Sequence, residues 1–212
     1  ISVAQCAPQV GALRVERTFG SSRVVQTIRV RSGDAAVELD TEIDWHESER
    51  LLKLAVLLDL RTEHHTAEVQ FGHVARPIHT NTSWDAARYE VQAQRWVHVA
   101  EGDYGVAFVT PTTFGYDASR TTRPGGGTTT TLRASLVRAP RSPDPDADRG
   151  RHRFRHLIVP GATLADAIAA GYAATLPVRD LTGASDEPVP PLVSVDHPAV
   201  VVEAIKLAED RS

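Results

Sequence analysis

The sequence predicts an all-β protein, built mainly as an antiparallel sandwich. Apolar and polar residues alternate with a period of two through much of the first 110 positions, turn-forming residues punctuate the runs, and one stretch alone carries helical spacing. A chain of 212 residues with 42% hydrophobic and 24% charged residues is long and apolar enough to bury a real core. The net charge of −4 gives no reason to expect a nucleic-acid partner. No apolar run reaches the 18 or more residues that a membrane helix needs, so no membrane partner is expected. A single cysteine, Cys6, cannot close an internal disulfide, and it favours a reducing, cytoplasmic setting. Methionine is absent, as in a portion of a longer chain. Only Lys53 and Lys206 are lysines among 23 basic residues, a bias that fits a GC-rich genome better than a guanidinium-specific function.

Over 24–30, Val24, Gln26, Ile28 and Val30 alternate with Val25, Thr27 and Arg29. After a turn at 32–34, Leu39, Thr41, Ile43 and Trp45 alternate with Glu38, Asp40, Glu42 and Asp44. Folded as a hairpin, these runs set Arg29 and Arg31 against Glu38 and Asp40 on a solvated face. The segment 51–60 is apolar on nearly both faces, which predicts a central strand covered on each side. Ala67, Val69 and Phe71 continue the strand pattern, and further strands are expected over 89–98, 104–110, 129–138 and 151–159. The helix is expected over 163–176. Thr163 and Asp166 have capping-box form, Leu164, Ile168, Gly171 and Tyr172 follow at helical spacing, and Pro177 ends the run. Loops fall at 121–130, around Gly125-Gly126-Gly127, and at 139–150, which holds three prolines. A proline-containing crossing at 185–191 leads to a last strand expected over 199–205, the whole reading as one domain.

Several clusters fail as reactive sites. Asp144, Asp146 and Asp148 resemble the start of a calcium loop, but glycine comes at the seventh position and Arg155 occupies the twelfth, where a glutamate belongs. His152 and His156 lie about 13 Å apart along a strand, too far for one metal. His64 and His65 point to opposite faces if extended. No phosphate loop or nucleophile elbow is present. The densest polar stretch runs from Arg76 to Trp96, where amides, carboxylates, guanidinium and indole occur together, the groups that recognise sugar hydroxyls and ring faces. The alternative is a long loop packed on the sandwich edge with its polar groups satisfied internally.

The same residues resemble a known family. Arg76-Pro77-x-His79-x-Asn81-Thr82-Ser83-Trp84-Asp85-x-Ala87-Arg88-Tyr89-Glu90, closing with Arg95-Trp96, is similar to the C-terminal region of glycoside hydrolase family 38 α-mannosidases of the cytosolic and bacterial subgroup. Asp44-Trp45-x-Glu47, Phe71-Gly72, Glu101-Gly102-x-Tyr104-Gly105, Phe114-Gly115-Tyr116-Asp117, Ala147-Asp148-x-Gly150-x-His152-x-Phe154 and Val200-Val201-x-Glu203 follow the family in order. Thr110-Pro111-Thr112-Thr113 departs from it, standing where relatives commonly carry a polar Asn-Asp-Cys-Lys stretch.

The resemblance implies a retaining α-mannosidase whose carboxylate nucleophile and zinc ion belong to an N-terminal barrel domain not contained in this chain. Residues 1–212 are then the single C-terminal sandwich domain, a galactose-mutarotase-like supersandwich, inactive alone and holding no metal. Its partners would be the barrel and a mannose-containing oligosaccharide, and His79, Asn81, Trp84, Asp85 and Arg88 would line the rim of the cleft. A stand-alone carbohydrate-binding or assembly module is the alternative. Nothing in the pattern over 24–45 decides whether a homo-oligomer forms.

Overall fold

The structure, a computed structural model, describes residues 1–176, 183, 190–197 and 200–210. The chain divides into two compact units, Ile1–Leu176 and Pro177–Ser212. The first is two antiparallel sheets and two helices. Its elements run β1 (Ser2–Ala7), β2 (Val10–Phe19), β3 (Ser22–Arg31), β4 (Val37–Trp45), β5 (Leu52–Leu58), β6 (His64–Val69), β7 (Gly72–Pro77) and α1 (Ser83–Ala86). They continue with β8 (Val91–Gln92), β9 (Trp96–Glu101), β10 (Tyr104–Val109), β11 (Gly115–Thr122), β12 (Thr128–Val137), β13 (Gly150–Pro160) and α2 (Leu164–Thr175). The large sheet has the order β1-β2-β3-β4-β13-β10-β9-β6-β7, and the small one β5-β12-β11-β8.

The hairpin forms as the alternation requires. Ile28 faces Leu39 and Val24 faces Ile43. That register turns Arg29 to Asp40 at 3.1 Å and Arg31 to Glu38 at 3.1 Å.

The main core lies between the sheets. Val97, Val99, Val106 and Phe108 of the large sheet meet Tyr116, Leu132 and Ala134 of the small one. Phe108 packs edge-on against Tyr116 with ring centroids 6.0 Å apart, and burying such a side chain contributes about 2 kcal/mol. A second cluster joins Ile43, Trp45 and Phe154 to Val137. On the opposite face of the large sheet, α2 lays Ala167 and Ile168 over Trp96, Ala107 and Val109. Thr163 caps α2, reciprocated by Asp166, whose carboxylate takes the Thr163 hydroxyl at 2.6 Å and backbone N–H at 2.8 Å.

Four expectations change. The segment read as a doubly covered central strand is β5, at the edge of the small sheet, with Leu57 70% exposed. Its second apolar row faces solvent because no strand or helix covers that side among the described residues. Phe71 belongs to the β6–β7 turn, with φ 58°, rather than to a strand row. The run 89–98 is divided, β8 joining the small sheet and β9 the large one. Val200–Ile205 form no strand, and Ala199 lies outside the described residues. So does Pro177, and so does most of the crossing at 185–191.

Thr110, Thr112 and Thr113, where the sequence departs from the family, form a hydroxyl network. Thr110 Oγ1 lies 3.2 Å from Thr113 Oγ1, and Tyr116 donates to the Thr113 carbonyl at 3.1 Å.

Candidate functional site

The polar stretch begins at the edge of the large sheet, crosses to β8 at the edge of the small one, and returns to the large sheet at β9. β6 and β7 pair antiparallel, with His65 opposite Arg76 and His64 opposite Pro77. Strand alternation sends the His64 side chain outward and the His65 side chain inward. After Pro77, the Ile78 N–H binds the Glu63 carbonyl at 3.0 Å and Ile78 is buried, anchoring the chain as it leaves the sheet. The crossing then rejoins regular structure at β8, which pairs with β11.

Between these anchors α1 forms because Thr82 and Asp85 make a capping box. The Asp85 N–H donates to Thr82 Oγ1 at 3.1 Å, and the Thr82 hydroxyl donates to Asp85 Oδ2 at 2.8 Å. These bonds hold the Asp85 carboxyl below its ordinary range, assisted by the charges of His79 and Arg88. His79 Nδ1 stands 3.4 Å from Asp85 Oδ2, and the Arg88 guanidinium 3.9 Å from Asp85 Oδ1.

His79, Asp85 and Arg88 line one pocket of about 50 Å³, together with His65, Arg76, Glu90, Tyr116 and Asp117. Asn81 and Trp84 do not line it. Both are exposed, Trp84 by 81%. The structure thus brings together three of the five expected rim residues.

Pattern reading missed the pocket's other half. Arg76 donates to the Gln92 carbonyl at 3.0 Å, and burial together with the nearby Arg88 charge lowers its pKa. Across the pocket, Lys53 Nζ bridges Asp117 Oδ2 at 2.5 Å and Glu90 Oε1 at 2.7 Å. Arg133 Nε adds a bond to Asp117 Oδ1 at 2.6 Å, and Ser135 donates to Glu90. Burial raises the Glu90 pKa, but Lys53 and Ser135 outweigh it and the net direction is down. Ionised carboxylates beside guanidinium groups suit hydrogen bonding to a polyol, not proton donation to a leaving group. Arg76 and Glu90 stood in the recognised motif, so a signal for them existed. Asp117 stood in the matched Phe114-Gly115-Tyr116-Asp117 run, whereas His65 arrives from a distant strand and had no signal as a site residue.

Among the described residues, no group of three or more His, Cys, Asp or Glu side chains could hold a metal ion. The zinc implied by the resemblance therefore finds no fitting donor set in them. A larger hollow of about 400 Å³ runs along β3, β4 and β13, lined by Arg23, Glu42, Asp44, Arg151 and Arg153. Its register sets Arg23 and Arg151 on either side of Asp44, and Arg153 beside Glu42, as on a solvated sheet face.

The sequence model described as "Glycosyl hydrolases family 38 C-terminal domain" matches residues 1–146. The chain is 38% identical over 194 residues to Alpha-mannosidase 2C1 of Mus musculus, covering 89% of this chain and 18% of that protein. It is 34% identical over 199 residues to Alpha-mannosidase G of Dictyostelium discoideum, covering 90% and 18%. The chain thus spans about a fifth of the length of these curated relatives. Among solved structures, an alpha-mannosidase from Enterococcus faecalis V583 superposes with a TM-score of 0.67 at 14% identity, over 83% of this chain and 24% of that one. This likeness establishes the shared fold.

Proposed function

The chain belongs to the glycosyl hydrolase family 38 C-terminal domain family, and from that premise we propose that it is the non-catalytic C-terminal domain of an α-mannosidase that hydrolyses terminal α-mannosidic bonds with retention. In this reading residues 1–212 are one sandwich domain packed against an N-terminal barrel, which supplies the nucleophile and the zinc. The chain alone is inactive. The enzyme is cytoplasmic, a setting in which the exposed thiol of Cys6 stays reduced.

The crossing between β7 and β8 faces the mannose cleft in this proposal. The supporting observation is Arg88, whose guanidinium stands 3.9 Å from Asp85 while that carboxylate is already bound by Thr82. An exposed arginine beside a capped, fixed carboxylate can meet sugar hydroxyls without rearranging the fold. Arg88→Ala in the parent α-mannosidase should raise KM about fivefold to tenfold for a mannoside, with an unchanged unfolding temperature. Kinetics identical to wild type would remove the crossing from the cleft. Mannoside hydrolysis by purified 1–212, abolished by a chelator, would overturn the assignment of catalysis to the barrel.

A further inference from the structure

His65 is 3% exposed, yet neither ring nitrogen has a hydrogen-bond partner among the described residues. Unpaired buried polar groups are costly, and imidazole offers two chances to satisfy itself. This side chain lies in the wall of the pocket beneath the crossing. We propose that the pocket is a glycan subsite in its own right, in which His65 and Arg76 hydrogen-bond a hydroxyl edge of a neutral hexose. The inference rests on the mannosidase reading for the identity of the sugar and adds a binding element that reading does not need.

Three features fix the ligand class. Burial, with the charges of Arg76 and His64, pushes the His65 pKa down to about 4, so the ring is neutral at pH 7 and presents one donor and one acceptor. A hydroxyl group answers both roles, whereas an oxyanion only accepts. The lining also combines Arg76 and Arg88 with Asp85, Glu90 and Asp117. A polyol can bond to both kinds of group, while an anion would meet three carboxylates. Finally, a volume of about 50 Å³ admits one or two hydroxyl-bearing carbons and not a whole ring, so only an edge of the sugar enters. The remainder of the ring stays outside.

The test uses the 212-residue chain and methyl α-mannoside as the probe, followed through the ¹⁵N resonances of the histidine rings. The His65 signals should shift saturably with a millimolar dissociation constant. His65→Leu should weaken binding about tenfold or more, since a sugar hydroxyl then meets an apolar side chain with no partner. The same variant should unfold at or above the wild-type temperature, because the imidazole has no internal bond to lose. Should it fail to fold, the wild-type titration and His65→Asn decide the matter. No His65 shift at about 100 mM mannoside overturns the proposal, and so does mannoside binding by His65→Leu equal to wild type. A His65 response to inorganic phosphate and not to mannoside overturns the hydroxyl assignment. Sugar binding by the chain with unchanged Arg88→Ala kinetics would sink the cleft-rim reading and leave the subsite standing. Altered kinetics without a His65 response would do the reverse.

Discussion

Lys53 reaches Asp117 and Glu90 from a side chain only 18% exposed, and both carboxylates help form the pocket wall. Removing the cation leaves two partly buried anions about one lost partner, although Arg133 still holds Asp117. Lys53→Ala should therefore lower the unfolding free energy by about 2 kcal/mol, measured by urea denaturation. A loss below about 0.5 kcal/mol would mean that solvent already screens the pair. At this scale the sequence was partly readable. Alternation alone set Arg29 and Arg31 against Glu38 and Asp40, because antiparallel register follows from a period of two. His65 could be placed only as the inward neighbour of His64. Its meeting with Arg76 across a strand pair, and with Asp117 across two sheets, depends on long-range packing that no local pattern encodes.

Among the elements, α2 is the most legible. Its capping box and apolar spacing were sufficient because both are local. Thr163→Ala should cost about 1 kcal/mol, visible as a lower thermal midpoint. Gly171 lets the helix approach the large sheet closely. A methyl group built there would stand 2.7 Å from Trp96 Cδ1 and 3.2 Å from Arg95 Cβ. Gly171→Ala gains about 1 kcal/mol of helix propensity. The clash outweighs that gain, because Arg95 is fixed by Glu68 at 2.6 Å and stacks on Tyr172 with 3.7 Å to the ring centroid. Net destabilisation of about 1 kcal/mol is expected by urea unfolding, and a more stable variant would show that the helix can move outward freely. By contrast β5 was misread: an apolar segment on both faces looks central whether or not a second layer covers it. The four-residue α1 was too short for periodicity to show, although its Thr82 and Asp85 signature was present in the sequence.

Across the whole molecule, two of the buried histidines, His65 and His156, make stability depend on pH. Burial lowers the pKa of His65 and of His156 from 6.5 to about 4. Between those values the unfolded chain binds more protons than the folded one. Stability is therefore full above pH 6.5 and declines as pH falls toward 4. Each histidine accounts for about 2 kcal/mol lost by pH 5, so urea denaturation at pH 5.0 should give roughly 4 kcal/mol less than at pH 7.5. The carboxylates held down by partners, such as Glu90 and Asp85, withdraw their contribution only at lower pH. A flat profile between pH 7.5 and 5 would show that the rings take up protons without unfolding the core.

The all-β class was legible because alternation and turn residues agree over most of the first 176 positions. The division into a nine-stranded and a four-stranded sheet was not, since it depends on which edges pair across long loops. The central claim is that this sandwich supports the barrel of an α-mannosidase and turns its β7–β8 crossing toward it. Amide hydrogen exchange, comparing the 212-residue chain with the same residues inside the parent enzyme, tests this most directly. Protection should rise over 78–90 and stay unchanged over the solvated face of β3 and β4. Equal exchange over 78–90 in the two proteins would contradict it.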